Sequence, residues 1–188
     1  MYKSYILLKS IENILSPELR DFFKGLLGTN IEIKNNSNNI YIYHNYENKD
    51  DIKDALTSLA EEYDGALYAY ISRDGYNDEI QSVLDEYFLY ERLKKNVYDE
   101  HELIMELILS GKHFLLDKVV FGKYLNDQSM KYTLLSFLEH NMNTSKTADA
   151  IYMHRNTLIN KLERFTEITG YDPKKFVDGF IIYYLLKK

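Results

Sequence analysis

Near the start of one stretch of helical periodicity stand His154, Arg155, Asn156, Thr157, Asn160 and Lys161, none of them on its apolar stripe. A helix face meant only for water usually carries Glu/Lys pairs. Arginine, asparagine and threonine can instead donate to phosphate oxygens and read base edges. The chemistry on offer is recognition of a nucleic acid, with no bond made or broken. His154 has two roles open to it, capping or packing the turn and touching DNA.

These side chains need two helices to position them. Asn143 and Thr144 are N-cap candidates for a short helix over Ser145 to Ile151. Tyr152, Met153 and His154 make the turn. The second helix runs over Arg155 to Thr169, with Leu158, Leu162, Phe165 and Ile168 as its inward stripe. Ala148 is small where the two helices must come close, and Gly170 supplies a left-handed stop. A short helix, a tight turn and a second helix with a polar N-terminal face form the helix-turn-helix arrangement, whose second helix enters the major groove.

At these residues the chain resembles the C-terminal helix-turn-helix of the PucR/CdaR family of bacterial transcription regulators. The likeness rests on Asn143, Ser145, Thr147, Ala148, Tyr152, the run His154-Arg155-Asn156-Thr157-Leu158, Leu162, Thr169-Gly170 and Asp172, and it covers about Lys131 to Leu186. The resemblance implies that Arg155, Asn156, Thr157 and Asn160 face the groove. It further implies that Ser145, Lys146, Thr147, Lys161 and Arg164 anchor or flank phosphates. Where the family commonly has Tyr-Arg, this chain has Asn160-Lys161, and lysine lacks arginine's planar fork.

Charge distribution agrees with that placement. The 188 residues carry a formal net charge of −6, yet from Met130 onward nine basic residues face six acidic ones, leaving +3 there and −9 in the remainder. Cysteine is absent, which excludes a disulfide framework and thiolate chemistry. The five histidines form no HxxxH or HExxH pair, so no metal is expected. Neither a glycine-rich phosphate loop nor a G-x-S-x-G elbow occurs, so no cofactor and no enzymatic activity are expected. Asp74 to Glu79 reads as a turn followed by acidic residues opening a helix. No apolar run is long enough to span a membrane, and no secretory leader is recognisable; a cytoplasmic protein is expected.

Upstream, Ser16-Pro17-Glu18 starts a helix that ends at Gly28. The alternation in residues 31–45 around Asn35 to Asn39 reads as a β-hairpin. A helix carrying Ile52, Leu56 and Leu59, a strand ALYAYISR and a long helix follow, which suggests an antiparallel layer with helices on one face. The opening YKSYILLKSI fits strand or helix. From Tyr98 onward the chain reads as helical. The last helix is expected to start at Asp172-Pro173, with Phe176, Val177, Phe180, Ile181, Tyr184 and Leu185 as an apolar band. The eighteen tyrosines read as core-edge residues, ring inside and hydroxyl wet.

The fold class is therefore α+β, with a small N-terminal sheet region (1–96), a helical connector (97–129) and a C-terminal helix-turn-helix bundle (130–188). Longer members of the resembled family carry a degenerate GGDEF-like domain before the motif, so residues 1–96 could be a shortened relative of it. The expected function is sequence-specific reading of double-stranded DNA by a homodimer, with an unidentified small-molecule effector as a further partner. The dimer surface is expected in the sheet region and in residues 79–125, where Ile80, Leu84, Tyr87 and Phe88 offer an apolar face. The rival reading is a small-molecule sensor or protein-interaction module whose helix-turn-helix has lost DNA binding.

Overall fold

The computed structural model describes residues 2–10, 16–36, 39–75 and 78–188, with backbone only at positions 10 and 78–80. The tip of the expected hairpin loop at 37–38, the turn at 76–77 and the side chain of Ile80 lie outside the described residues. The chain divides into two compact units, Met1–Glu106 and Leu107–Lys188. The division falls within the stretch read as a connector.

The first unit is a five-stranded sheet in the order β2-β3-β1-β4-β5, built from β1 (Ser4–Ser10), β2 (Glu32–Asn36), β3 (Asn39–His44), β4 (Leu67–Ile71) and β5 (Val97–Asp99). β1 pairs antiparallel with β3 and β4, and the ambiguous opening segment is thus the central strand. Two-residue alternation sorts its side chains. Ile6, Leu8, Ile40, Ile42, Ala69, Ile71 and Val97 pack with Leu19 and Phe23 of α1 (Pro17–Leu27) and with Ile52, Leu56 and Leu59 of α2 (Lys49–Glu62).

The opposite face is aromatic. Tyr5 stands opposite Tyr43, Leu7 between Tyr41 and Tyr70, and Tyr70 beside Tyr98. α3 (Asp78–Tyr90) covers it, with Phe88 5.8 Å from Tyr70 between ring centroids. The expectation of an antiparallel layer with helices on one face is therefore corrected. β4 and β5 are parallel, and the helix crossing between them lies on the face away from α1 and α2. β5 likewise interrupts the stretch after Val97 that reads as helical.

The buried tyrosines also depart from the wet-hydroxyl expectation. Tyr5 donates to Asp85 Oδ1 at 2.6 Å, Tyr70 accepts from Gln81 at 2.8 Å, and Tyr98 accepts from the backbone N–H groups of Lys94 and Lys95 at 3.1 and 3.0 Å. Dry hydroxyls must be paired in this way, because an unpaired one would cost roughly 1–3 kcal/mol. Burial pushes the Asp85 carboxyl up to about 6, restrained by hydrogen bonds from Tyr5, Tyr41 and Gln81. Burial pushes His44 the other way, down to about 4, against the pull of Asp74.

The second unit is all helical: α5 (Leu116–Phe121), a 3-10 turn at Gly122–Tyr124, α6 (Gln128–Glu139), α7 (Thr144–Ala150), α8 (Arg155–Thr169) and α9 (Phe176–Lys187). The end of α4 (Glu100–Leu109) leads into it. Its core holds Leu116, Phe121, Leu134, Phe137, Leu158, Leu162, Phe165, Tyr171, Ile181 and Leu185. Phe165 meets the rings of both Phe121 and Tyr124.

α9 corrects the expected register. It starts at Phe176, and the buried side includes Asp178, Gly179, Ile181, Ile182 and Leu185, whereas Phe176 is 77% exposed and Val177 and Phe180 are also exposed. A Cβ on Gly179 would stand 3.1 Å from Leu138 and 3.3 Å from the Pro173 carbonyl, so α9 turns this bare backbone toward α6. Asp178 accepts from the Asp172 N–H at 2.8 Å, which closes the preceding turn. None of the helices among the described residues is long and apolar enough to cross a membrane.

Candidate nucleic-acid interface

α7 begins at a capped end: the Lys146 N–H donates to Asn143 Oδ1 at 3.0 Å. Thr147 lies inside, and its hydroxyl donates to the Asn143 carbonyl at 2.7 Å. Its side chain therefore holds the helix start together and is not free to grip a phosphate, a correction to the role the resemblance implied. Ser145 and Lys146, on the same turn, are exposed. Ala148 is buried, as the close helix approach requires.

The turn out of α7 is closed by two backbone bonds, Met153 N–H to the Ala148 carbonyl at 2.9 Å and Tyr152 N–H to the Asp149 carbonyl at 3.3 Å. That pattern needs one residue in the left-handed region, here Tyr152 with φ of 53°. The same position after α6 is held by Asn141 (φ 55°), and after α8 by Gly170 (φ 78°). Asparagine and glycine tolerate this conformation; for a bulkier residue it costs roughly 1–2 kcal/mol.

α8 then starts on His154, whose Nδ1 accepts from the Asn156 N–H at 3.3 Å. Of the two roles open to His154, the cap is the one seen. Its ring is exposed nonetheless. Leu158, Leu162, Phe165 and Thr169 turn inward, and Ile168, expected on that stripe, is 38% exposed. Arg155, Asn156, Thr157, Asn160 and Arg164 are exposed. Arg155 Nε donates to Thr144 Oγ1 at 3.4 Å, a weak bond that ties it back to α7. Lys161 is half-buried, and its ammonium donates to Ser129 Oγ at 3.1 Å at the start of α6.

The arrangement is thus two helices with Ser145, Lys146, Asp149, His154, Arg155, Asn156, Thr157 and Asn160 exposed around the start of the second. Glu163 nearby is paired with Lys174 at 3.4 Å, which weakens its repulsion toward an anion. Such a surface can bind a polyanion and hydrogen-bond to base edges.

Residues 132–187 match the PucR C-terminal helix-turn-helix domain. This segment, under a third of the chain, is similar to that domain. Among curated proteins, the chain is similar to the carbohydrate diacid regulator of Escherichia coli (strain K12), 36% identical over 62 residues, which is 33% of this chain and 16% of that protein. It is also similar to the purine catabolism regulatory protein of Bacillus subtilis (strain 168), 44% identical over 48 residues, 26% of this chain and 9% of the other. The matches therefore span only a small part of either relative's length. A superposition on the crystal structure of a regulator of polyketide synthase expression from Bifidobacterium adolescentis covers 99% of this chain and 79% of that one. At 17% identity and a TM-score of 0.47, it is too distant to assign the fold of the N-terminal sheet unit.

The matched segment starts within α6 and ends at the close of α9, so the match takes in the supporting helices as well as the motif. Within it, the role of two residues was not legible in the sequence. The Lys161–Ser129 bond depends on how α6 sits across α8, which spacing along the chain does not encode. Tyr152 reads as an ordinary turn residue until its backbone angle and exposure are seen.

Proposed function

We propose that the protein is a sequence-specific DNA-binding transcription regulator that reads the major groove with the start of α8. The observation that carries this reading is the joint exposure of Arg155, Asn156, Thr157 and Asn160 on a helix whose other face is fully committed to the core. Ser145, Lys146 and Arg164 flank them as phosphate contacts, with Lys161 held further back by Ser129. Regulator names on both similar proteins support the same direction.

One domain of this size reads only a few base pairs, and a local excess of +3 gives limited electrostatic help. Two copies related by a two-fold axis would double the contacts, with half-sites about 34–36 Å apart or multiples of that.

The test is selection of duplexes from a random pool by the full chain, followed by titration at two salt concentrations. Arg155→Ala and Thr157→Ala should each weaken binding to the selected duplex by about 1–3 kcal/mol while leaving Tm unchanged. Sedimentation equilibrium should give twice the chain mass. Equal affinity in both variants would remove α8 from the groove, and failure to enrich any duplex would end the DNA reading.

A further inference from the structure

Among the described residues of the second unit, Leu115, Asn141, Met142 and Tyr152 are the non-glycine residues in the left-handed region, and Tyr152 is the one whose large side chain is almost wholly exposed. It occupies the left-handed position that closes α7, where Asn141 and Gly170 stand at the other two helix ends of the motif region. Its backbone carries the two turn bonds, and these need no side chain at all. The side chain is 99% exposed, with neither ring contact nor hydrogen bond to any described residue. An aromatic ring in this conformation is a cost with no packing return inside the protein.

Its position suggests where the return comes from. Tyr152 lies two residues before His154 and three before Arg155, so its Cα is no more than about 11 Å from that of Arg155. Whatever backbone Arg155 approaches at the groove edge is within reach of a tyrosine ring held out on the turn. The ring offers a flat apolar face for a deoxyribose, and the phenol offers one donor for a phosphate oxygen.

We propose that Tyr152 is a DNA-positioning residue: it lays its ring on the sugar-phosphate backbone beside the entry point of α8 and donates its hydroxyl to a phosphate. This rests on the DNA-reading function above and adds to it a contact that carries no charge. The contact orients the helix in the groove and is independent of base sequence.

The charge-free character gives the test its shape. Arg155→Ala should weaken binding and also flatten the salt dependence by roughly one counterion. Tyr152→Gly should weaken binding to the selected duplex about tenfold with an unchanged salt slope, because no counterion is displaced by a phenol. It should at the same time raise Tm by about 2 °C, since glycine is the residue this backbone favours. Tyr152→Phe keeps the ring and should lose about threefold, the share of a single neutral hydrogen bond.

Loss of affinity together with gain of Tm is the signature, because a structural tyrosine would move both downward. If the full chain selects a duplex and Tyr152→Gly binds it as tightly, the assignment is wrong and the ring serves a protein partner or nothing. A fall in Tm on Tyr152→Gly overturns it too. If the unaltered chain selects no duplex, the DNA reading itself fails and this inference goes with it.

Discussion

Tyr5, Tyr70 and Tyr98 of the sheet unit are used in the opposite way to Tyr152 of the helical unit. In the sheet unit Tyr5, Tyr70 and Tyr98 are sealed, and every hydroxyl is matched to Asp85, Gln81 or a backbone N–H. In the helical unit Tyr152 is bare, and the polar side chains around it point outward unpaired or weakly paired. The first arrangement spends its hydrogen bonds on its own stability. The second withholds them for something outside the chain. The same residue type, at similar hydropathy, thus marks a core in one place and a contact surface in the other, and the backbone around it decides which.

That contrast can be tested most sharply by pH. His44, held near 4, favours the folded sheet unit above pH 6.5, and this advantage is lost as pH falls from 6.5 to 4. Asp85, held near 6, favours the fold below its ordinary value, and this advantage is lost as pH rises through 6. Between pH 4 and 6 the two oppose each other. Asp85→Asn should leave stability rising with pH across that range, by about 2–3 kcal/mol, and His44→Gln should leave it falling. Denaturant unfolding at pH 4, 5 and 6 reads both slopes; matching slopes would mean that the sheet unit's buried groups are not what sets its stability.

A packing change should act next. Ala148→Leu forces extra methyl groups between α7 and α8 and should cost about 2 kcal/mol in the helical unit. An unchanged Tm would show that the two motif helices are further apart than Ala148 implies. Removing one sealed hydroxyl should cost somewhat less. Tyr70→Phe removes the bond that Gln81 donates to the Tyr70 hydroxyl and should cost about 1 kcal/mol, whereas Thr157→Ala should cost no stability at all. A neutral Tyr70→Phe would erase the contrast between the units. A small effect is expected of Lys161→Met, which gives up an exposed bond to Ser129 and should stay within about 0.5 kcal/mol.

The motif was legible because each of its signals is local. Asn143 as cap, Gly170 as stop, and the three- and four-residue steps of Leu158, Leu162 and Phe165 are short-range features, and α8 spans Arg155–Thr169 as its periodicity indicates. What escaped depends on partners distant in the chain. α9 buries Asp178 and Gly179 because Asp172 needs an acceptor and α6 comes within contact of bare backbone, and an apolar-band rule therefore picks the wrong side. Thr147 looks like a phosphate ligand by type and is consumed by the helix start. The parallel β4–β5 pair was hidden because Val97–Asp99 is three residues long, too short to show alternation.

The sealed aromatic face also makes the sheet unit optically self-reporting. The chain has eighteen tyrosines and no tryptophan, so its near-ultraviolet signal comes overwhelmingly from phenol rings. Burial and neighbouring groups hold the Tyr5, Tyr41 and Tyr70 phenols above their ordinary range. Those phenols favour the folded sheet below pH 10, and their contribution is lost as alkali drives them to ionise. Phenolate absorbance from these rings should consequently rise in step with the sheet opening and not ahead of it. In alkali the protein carries its own unfolding indicator, needing neither an added dye nor an introduced label.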